Sequence, residues 1–498
     1  MNYISIKNNQ TILLSDIPES NYEYFYEMIT NLVVGRIERH CVNYFGYKVG
    51  NNVKLICCIA DDLTHEIFLS TCLVNKAHEL ESFSSQLLCF EKFEREIHEN
   101  FGINYIDHPW LKPVRYANRD DQSQTINNYP FFSINSEELH EVGVGPIHAG
   151  IIEPGHFRFI CNGEQILHLE IQLGYQHKGV EQLFLKKKKL LQRATLAEGI
   201  AGDTVVGHSV TFAHVWESLC DFEASRDIEF ARTLALELER IAVHVGDLSA
   251  ACTDVAYQLG SAVFGRLRTP IINFLQEWCG NRLAKGLVRP GQNQFPFSPV
   301  LAERLKHILD IFEPEFKEMA EKLFTLSSAL SRFERTGIVS NDDAVKIGAV
   351  GMAARMTNLD RDIRSSHPFS LYSELNHEPI LKRHGDVYSR IQIRRKEVEQ
   401  SLKYIRKLIA NVPTIYSENK ISKEPQSNSF CLSLVEGWRG EICHCALTDR
   451  KGDLMIYKIK DPSFHNWLAL ALAVRNNEIS DFPICNKSFN LSYSGHDL

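Results

Sequence analysis

The sequence holds no two cysteines at the C-x-x-C spacing of metal and redox motifs. Its thirteen cysteines are scattered, the nearest neighbours being Cys57–Cys58 and Cys443-x-Cys445. Any iron–sulfur cluster serving this chain must therefore sit on another one, and thiols without pattern fit a reducing cytoplasm. Long apolar runs are lacking too. The eight residues of "WLALALAV" (467–474) are far fewer than a membrane span needs. Positive charge is not in excess: the net charge is −8, which points away from nucleic acid, and "KKKK" (186–189) is a local patch. No glycine-rich phosphate loop opens a helix, so no directly bound NADH is expected. There is no N-terminal signal, internal repeat or low-complexity segment.

What is present is ordinary globular material. The 498 residues, 44% hydrophobic and 23% charged, predict two or three domains with ample core. Val53, Leu55, Cys57 and Ile59 alternate as in a half-buried strand, and "IFLSTCLV" (67–74) answers them after the Asp61-Asp62 turn, a hairpin. A helix is predicted in "QLLCFEKFEREIHENFGI", ended by Gly102. The polar, proline-bounded stretch that follows reads as a linker over 116–135, separating domains at 1–115 and 136–498. Beyond it, Cys161-Asn162-Gly163-Glu164 is the turn of a second hairpin. Leu234, Leu238, Ile241, Val245 and Leu248 form one helical stripe, and Val398, Leu402, Ile405 and Leu408 another, closed by Val412-Pro413. Short strands return at 430–449. The fold class is α+β: a small N-terminal α/β domain, then a helix-rich domain with peripheral β strands.

Several phrases together resemble one family. "FEREIHENFGINYIDHPWLKPVRY" (93–116) is similar to the signature of the small peripheral-arm component of complex I, its C-type component. "GVGPIHAGIIEPGHFRF" (143–159), "LGYQHKGVEQLF" (173–184), "ELERIAVHVGDL" (237–248), "GAVGMAARMTNLDRDIRSSHPF" (348–369), "GDVYSRIQIRRKEVEQS" (385–401) and "VEGWRGEI" (435–442) follow in order. They resemble the D-type component of complex I and, equally, the large subunit of energy-converting nickel–iron hydrogenases. A complex I C-like domain fused to a D-like or hydrogenase large subunit-like domain is the arrangement of formate-hydrogenlyase-type and hydrogenase-4-type large subunits. The resemblance implies an oxidoreductase subunit on the cytoplasmic face of the inner (cytoplasmic) membrane, held there by partners. Those implied are an iron–sulfur small subunit of the complex I type, a ferredoxin-like subunit and antiporter-like membrane subunits.

Against that family, "EGIAGDTVVGHS" (198–209) is missing its working parts. In the hydrogenases the segment reads Glu-Arg-x-Cys-Gly-x-Cys-Ser-x-x-His, and both cysteine positions are lost here, to Ala201 and Thr204. The second cysteine pair follows Asp-Pro near the C-terminus. "KDPSFHNWL" keeps Asp461 and Pro462 but places Ser463 and Asn466 at the ligand positions. Four thiolates hold a nickel–iron centre because soft anionic sulfur binds the metal and tunes it. Ala offers no ligand, and Ser, Thr and Asn offer only neutral oxygen. The chain runs 32 residues past Asn466, where maturing hydrogenases are clipped soon after the second pair, so no such processing is expected.

In the D-type component of complex I the vanished metal pocket serves the quinone head group with a loop His, a Tyr and an Asp paired with the His. The resemblance puts His156 at the loop position and Asp254 at the Asp. The Tyr position falls near Gly202, leaving Asp203 and Thr204 as the nearest polar groups. Glu153 corresponds to an acid that moves protons in the hydrogenases, or caps its turn. His208 keeps its position, as a pocket lining or a satisfied structural histidine. His177 and Glu181, spaced i, i+4, are expected to share a helix face. Arg355, Asp362 and Arg364 read as buried ion-pair partners under the pocket, where a charged floor would also hold an anion or a quinone oxygen. Three readings stay open. The chain is a redox subunit that passes electrons to a quinone-like carrier, with no cofactor of its own beyond that quinone. Alternatively, it is a structural core with a plugged pocket. Last, it is a hydrogenase with an unconventional metal site at His208 and His465.

Overall fold

The computed structural model describes residues 2–76, 78–117, 125–148, 152–415 and 420–498. In the N-terminal part, strands Arg39–Val49, Asn52–Asp61 and Glu66–Asn75 run antiparallel, with Ile4–Ile6 added at the edge of the last. The alternation predicted a half-buried strand over 53–59, but both faces are covered. Val53, Leu55, Cys57 and Ile59 face an aromatic cluster with Phe25, Tyr44, Phe83 and Phe90. Ile56, Cys58 and Ala60 join the core of the helix-rich part. The second cover is a C-terminal sheet, ordered Leu454–Lys460, Glu441–Thr448, Ser429–Glu436 and Thr11–Leu13. Its last strand comes from the N-terminus, so the two parts share a sheet. Asn43 reaches across to the thiols of Cys443 and Cys445 at 3.7 and 3.6 Å. A single strand's sequence carries no sign of a second sheet lying over it.

The helix expected from Gln86 begins at Glu91 and ends at Phe101, with Gly102 at φ 72 in the left-handed conformation that closes helices. Leu88–Phe90 form a short 3-10 turn instead, because Phe90 is drawn sideways into stacking with Phe83 at 4.7 Å. The second hairpin pairs His156–Asn162 with Gln165–Gln172, and His140–Val144 adds a third strand. His177 and Glu181 do not share a helix face, which corrects the expectation from their spacing. The helix starts only at Val180, after Gly179 at φ 68, so His177 lies in the preceding turn against the Asp497 carbonyl (2.8 Å). Glu181 turns instead to the Ile459 N–H and to Lys458.

Both helical stripes are core. The first lies on Arg226–Asp254, where all five side chains are 0% exposed, each worth about 1.5–3 kcal/mol of burial. The second lies on Val387–Ile409, packed against the first. The stripe says nothing of the face beside it on the long helix. That face is buried too, and it carries Glu237, Arg240, His244 and Asp247. These charges are the floor of the site described next. All thirteen cysteines are buried free thiols. No helix among the described residues is long and apolar enough to cross a membrane.

Candidate functional site

Residues 198–209 turn sharply into the helix Val205–Leu219. The helix opens with two orphan N–H groups, those of Val206 and Gly207, and both donate to the Glu239 carboxylate, at 2.7 and 3.2 Å. Gly207 is closely approached: a Cβ there would stand 2.7 Å from Ile442 Cδ1 and 3.0 Å from Thr204 Cγ2, so a side chain would have to give way. Glu239 has no ion-pair partner within reach, and burial pushes its carboxyl up to about 8.

Over this turn lies Arg439. Its guanidinium donates to both oxygens of Asp203 (2.9 and 2.5 Å), to Thr204 Oγ1 (3.0 Å) and to the Asn490 carbonyl (2.6 Å). It stacks over the Trp438 ring at 4.0 Å, and Trp438 Nε1 donates to the Asp203 carbonyl. Thr204 Oγ1 donates in turn to Asp203 Oδ1 (3.0 Å). Both Asp203 oxygens, the Thr204 hydroxyl and the Trp438 N–H therefore have partners inside the protein.

Ser463 and Asn466, the second pair of positions singled out in the sequence, are engaged as well. Ser463 Oγ accepts the Ser492 N–H at 2.9 Å, and the Asn466 amide exchanges two hydrogen bonds with the Val350 backbone. Asp461 accepts the Ser463 N–H and pairs with His208 Nε2 at 3.1 Å. His208 Nδ1 meets His444 Nε2 at 3.1 Å, and His444 Nδ1 meets the Tyr457 hydroxyl at 2.9 Å. His465 packs edge-on against Phe93 and makes no bond to His208. The donor set at Ala201, Thr204, Ser463 and Asn466 is thus one methyl, two hydroxyls and an amide, the polar ones committed to hydrogen bonds. It does not fit a nickel–iron centre.

Beneath lies the charged floor. Arg355 binds Glu397 (2.6 Å), Asp362 (3.4 Å) and Glu436 (3.4 Å). Arg364 binds Asp362 (2.7 Å) and Glu397 (2.9 Å), and Arg240 reaches Glu237 (3.3 Å) and Glu397 (3.7 Å). Against burial, the neighbouring guanidinium groups hold the carboxyls of Glu237, Asp362 and Glu397 below their ordinary range. Burial, with Asp362 beside it, raises Glu436, so this fourth carboxyl keeps its proton most readily. Burial likewise lowers His244 and His377, which stay neutral. Three guanidinium groups therefore face three carboxylates. A closed low-dielectric site needs that balance, since an unpaired buried ion is very costly.

The remaining candidates separate. Glu153 is exposed, its carboxyl raised by desolvation and then by the neighbouring Asp203, with Arg439 and Lys178 opposing. Among the former candidates it is thus the one that feels the charges of Asp203 and Arg439. His156 lies to one side, Nδ1 bonded to the Gly145 carbonyl at 3.1 Å and its ring against Phe131. Asp254 is exposed at the end of the long helix, with Lys487 its nearest charge. The structure does not bring His156 and Asp254 together. Sequence reasoning also passed over Arg439, Trp438 and Glu239. Arg439 sits in "VEGWRGEI", but nothing in that phrase shows it folding back over residue 203 from 236 positions away.

Comparisons with known proteins agree with this architecture. The family described as "Respiratory-chain NADH dehydrogenase, 49 Kd subunit" matches residues 254–433. The chain is 26% identical over 424 residues to "Hydrogenase-4 component G" of Escherichia coli, covering 81% of this chain and 73% of the relative. It is 28% identical over 441 residues to the C/D subunit of the NADH-quinone oxidoreductase of Phocaeicola vulgatus, covering 81% and 83%. It is 25% identical over 369 residues to "Membrane-bound hydrogenase subunit alpha" of Pyrococcus furiosus, covering 70% and 85%. The resemblance to complex I and hydrogenase large subunits is borne out.

Proposed function

We propose that this chain is the large subunit of a membrane-associated oxidoreductase complex, related to complex I and to energy-converting hydrogenases, whose nickel–iron site has been replaced by protein. The observation that carries the reading is Arg439 bound to Asp203 and Thr204 over the first pair of former ligand positions. The second pair is tied into backbone hydrogen bonds. Electrons come from iron–sulfur clusters on partner subunits. A quinone-like acceptor docks at the mouth, not inside, because the interior is filled. Its reduction takes two electrons from the partner clusters and two protons. Glu153, with its raised carboxyl beside Asp203, is the group placed to pass protons there. The likeness to an NADH-quinone oxidoreductase and to a membrane-bound hydrogenase supports a quinone acceptor and membrane association. Antiporter-like membrane subunits, on the cytoplasmic face, would couple the reaction to ion movement.

A second reading, a non-catalytic core that holds the complex together, is favoured by the hydrogen bonds that tie Arg439 to Asp203, Thr204 and the Asn490 carbonyl. Both readings are tested on the native complex, purified anaerobically through a tag on this chain. The expected result is no stoichiometric nickel, no hydrogen evolution, and quinone that is lost in Glu153→Gln. Stoichiometric nickel with hydrogen turnover overturns both. Quinone reduction indifferent to Glu153→Gln and Asp203→Ala leaves the structural core as the function.

A further inference from the structure

A partly open cavity lies away from the Arg439 cluster, where the N-terminal part meets the helix-rich part. The helix Glu91–Phe101, the segment Trp110–Val114, the strand Gln165–Gln172 and the helix Ser463–Ala473 surround a cavity of about 210 Å³. Trp110, Tyr129, Phe132 and Trp467 give it aromatic walls, and Leu468 and Ala471 an aliphatic one. A cavity of about 150 Å³ holds a benzene ring. This one has room for a ring and a small head group.

Its polar groups are unevenly satisfied. Both acids are taken: Glu91 by Arg95 (3.0 Å) and Trp110 Nε1 (3.2 Å), Glu170 by Lys112 (2.5 Å) and the Phe132 N–H (2.8 Å). Arg95 spends its other donors on the Lys112 and Pro113 carbonyls. Three groups are left over. Lys92 makes one hydrogen bond, to the Phe464 carbonyl at 2.7 Å, and has no carboxylate partner among the described residues. His168 Nε2 is buried without any partner. Arg475 is exposed at the mouth, close enough to His168 to disfavour its protonation, and no acceptor among the described residues meets its guanidinium. The cavity thus offers the Lys92 amine, the Arg475 guanidinium and an imidazole, with no spare carboxylate among the described residues. Its walls suit a flat apolar body. Burial pushes Lys92 down to about 7, and an anion at its Nζ would relieve that cost.

We propose that this cavity binds a small single-ring aromatic carboxylate, its ring between Trp110, Phe132 and Trp467 and its charge held by Lys92 and Arg475. The site is separate from the Arg439 cluster, none of whose residues line it. Calorimetric titration of the full chain with benzoate tests it, with benzamide as the neutral isostere. Benzoate is expected to bind one-to-one and at least about tenfold more tightly than benzamide. Lys92→Met and Arg475→Ala should each weaken benzoate several-fold, with unchanged melting temperature for Arg475→Ala, whose side chain is exposed. If Lys92→Met does not fold, Arg475→Ala and the benzamide comparison decide. Equal affinity for benzoate and benzamide, unchanged benzoate affinity in the variants, or no binding up to about 10 mM overturns the proposal.

Discussion

Two of the places where the helix-rich part buries charge, the floor and the rim, are built differently. In the floor, the side chains of Arg355, Asp362, Arg364 and Glu397 are all 0% exposed. At the rim, Arg439 is 2% exposed but its partner Asp203 is 40% exposed. A closed cluster cannot borrow charge from solvent, so cations and carboxylates must match in number, and a surplus carboxyl such as Glu436 keeps a proton. An open cluster can trade protons with whatever reaches it. The floor is architecture, then, and the rim is where chemistry has room.

Four substitutions can break or sharpen that contrast. Glu397→Ala removes the carboxylate shared by Arg355, Arg364 and His244, and is expected to cost about 3–5 kcal/mol in urea unfolding. A loss under about 1 kcal/mol would erase the distinction between floor and rim. Glu239 comes next, a buried carboxyl between the two with no cation of its own. Its folded value, about 8, lies above the ordinary 4.5, so the folded state holds a proton that the unfolded state has released. Stability should therefore fall as pH rises from 4.5 toward 8, by at most about 1.4 kcal/mol per pH unit. Glu239→Gln is expected to flatten that slope in thermal melts taken from pH 5 to 8. An unchanged slope would mean that other groups govern it.

At the rim, Asp203→Ala leaves Arg439 with Thr204 and the Asn490 carbonyl, and with solvent nearby. The expected loss is about 1–2 kcal/mol and weakens with salt, which denaturation at two ionic strengths would register. Thr204→Val keeps the shape and deletes one hydroxyl, for a cost of about 1 kcal/mol in the same assay. If Thr204→Val costs as much as Glu397→Ala, the rim is as closed as the floor and the proton-exchange role loses its basis.

Much of the fold was legible along the chain. The stripe Leu234 to Leu248 and the hairpin turn at Gly163 announce themselves because helix and strand periodicities are local properties. That Ala201, Thr204, Ser463 and Asn466 carry no sulfur could also be read directly, since it is a matter of residue identity. The strand at 53–59 was read as half-buried, because its second cover comes from residues near 443. The spacing of His177 and Glu181 misled, because a left-handed Gly179 sets the helix start between them.

The sequence by itself determined the order of elements, the resemblance to complex I and hydrogenase large subunits, and the absence of sulfur at positions 201, 204, 463 and 466. Only the tertiary structure decided what stands there instead. Arg439 reaches Asp203, Asn466 closes on Val350, and Glu239 caps a helix that begins 34 positions before it. These contacts join residues remote in the chain, and no local periodicity encodes them. The structure also separated His156 from Asp254 and gathered Glu153 to the rim, because a side chain's neighbours are set by packing and not by its place in a motif.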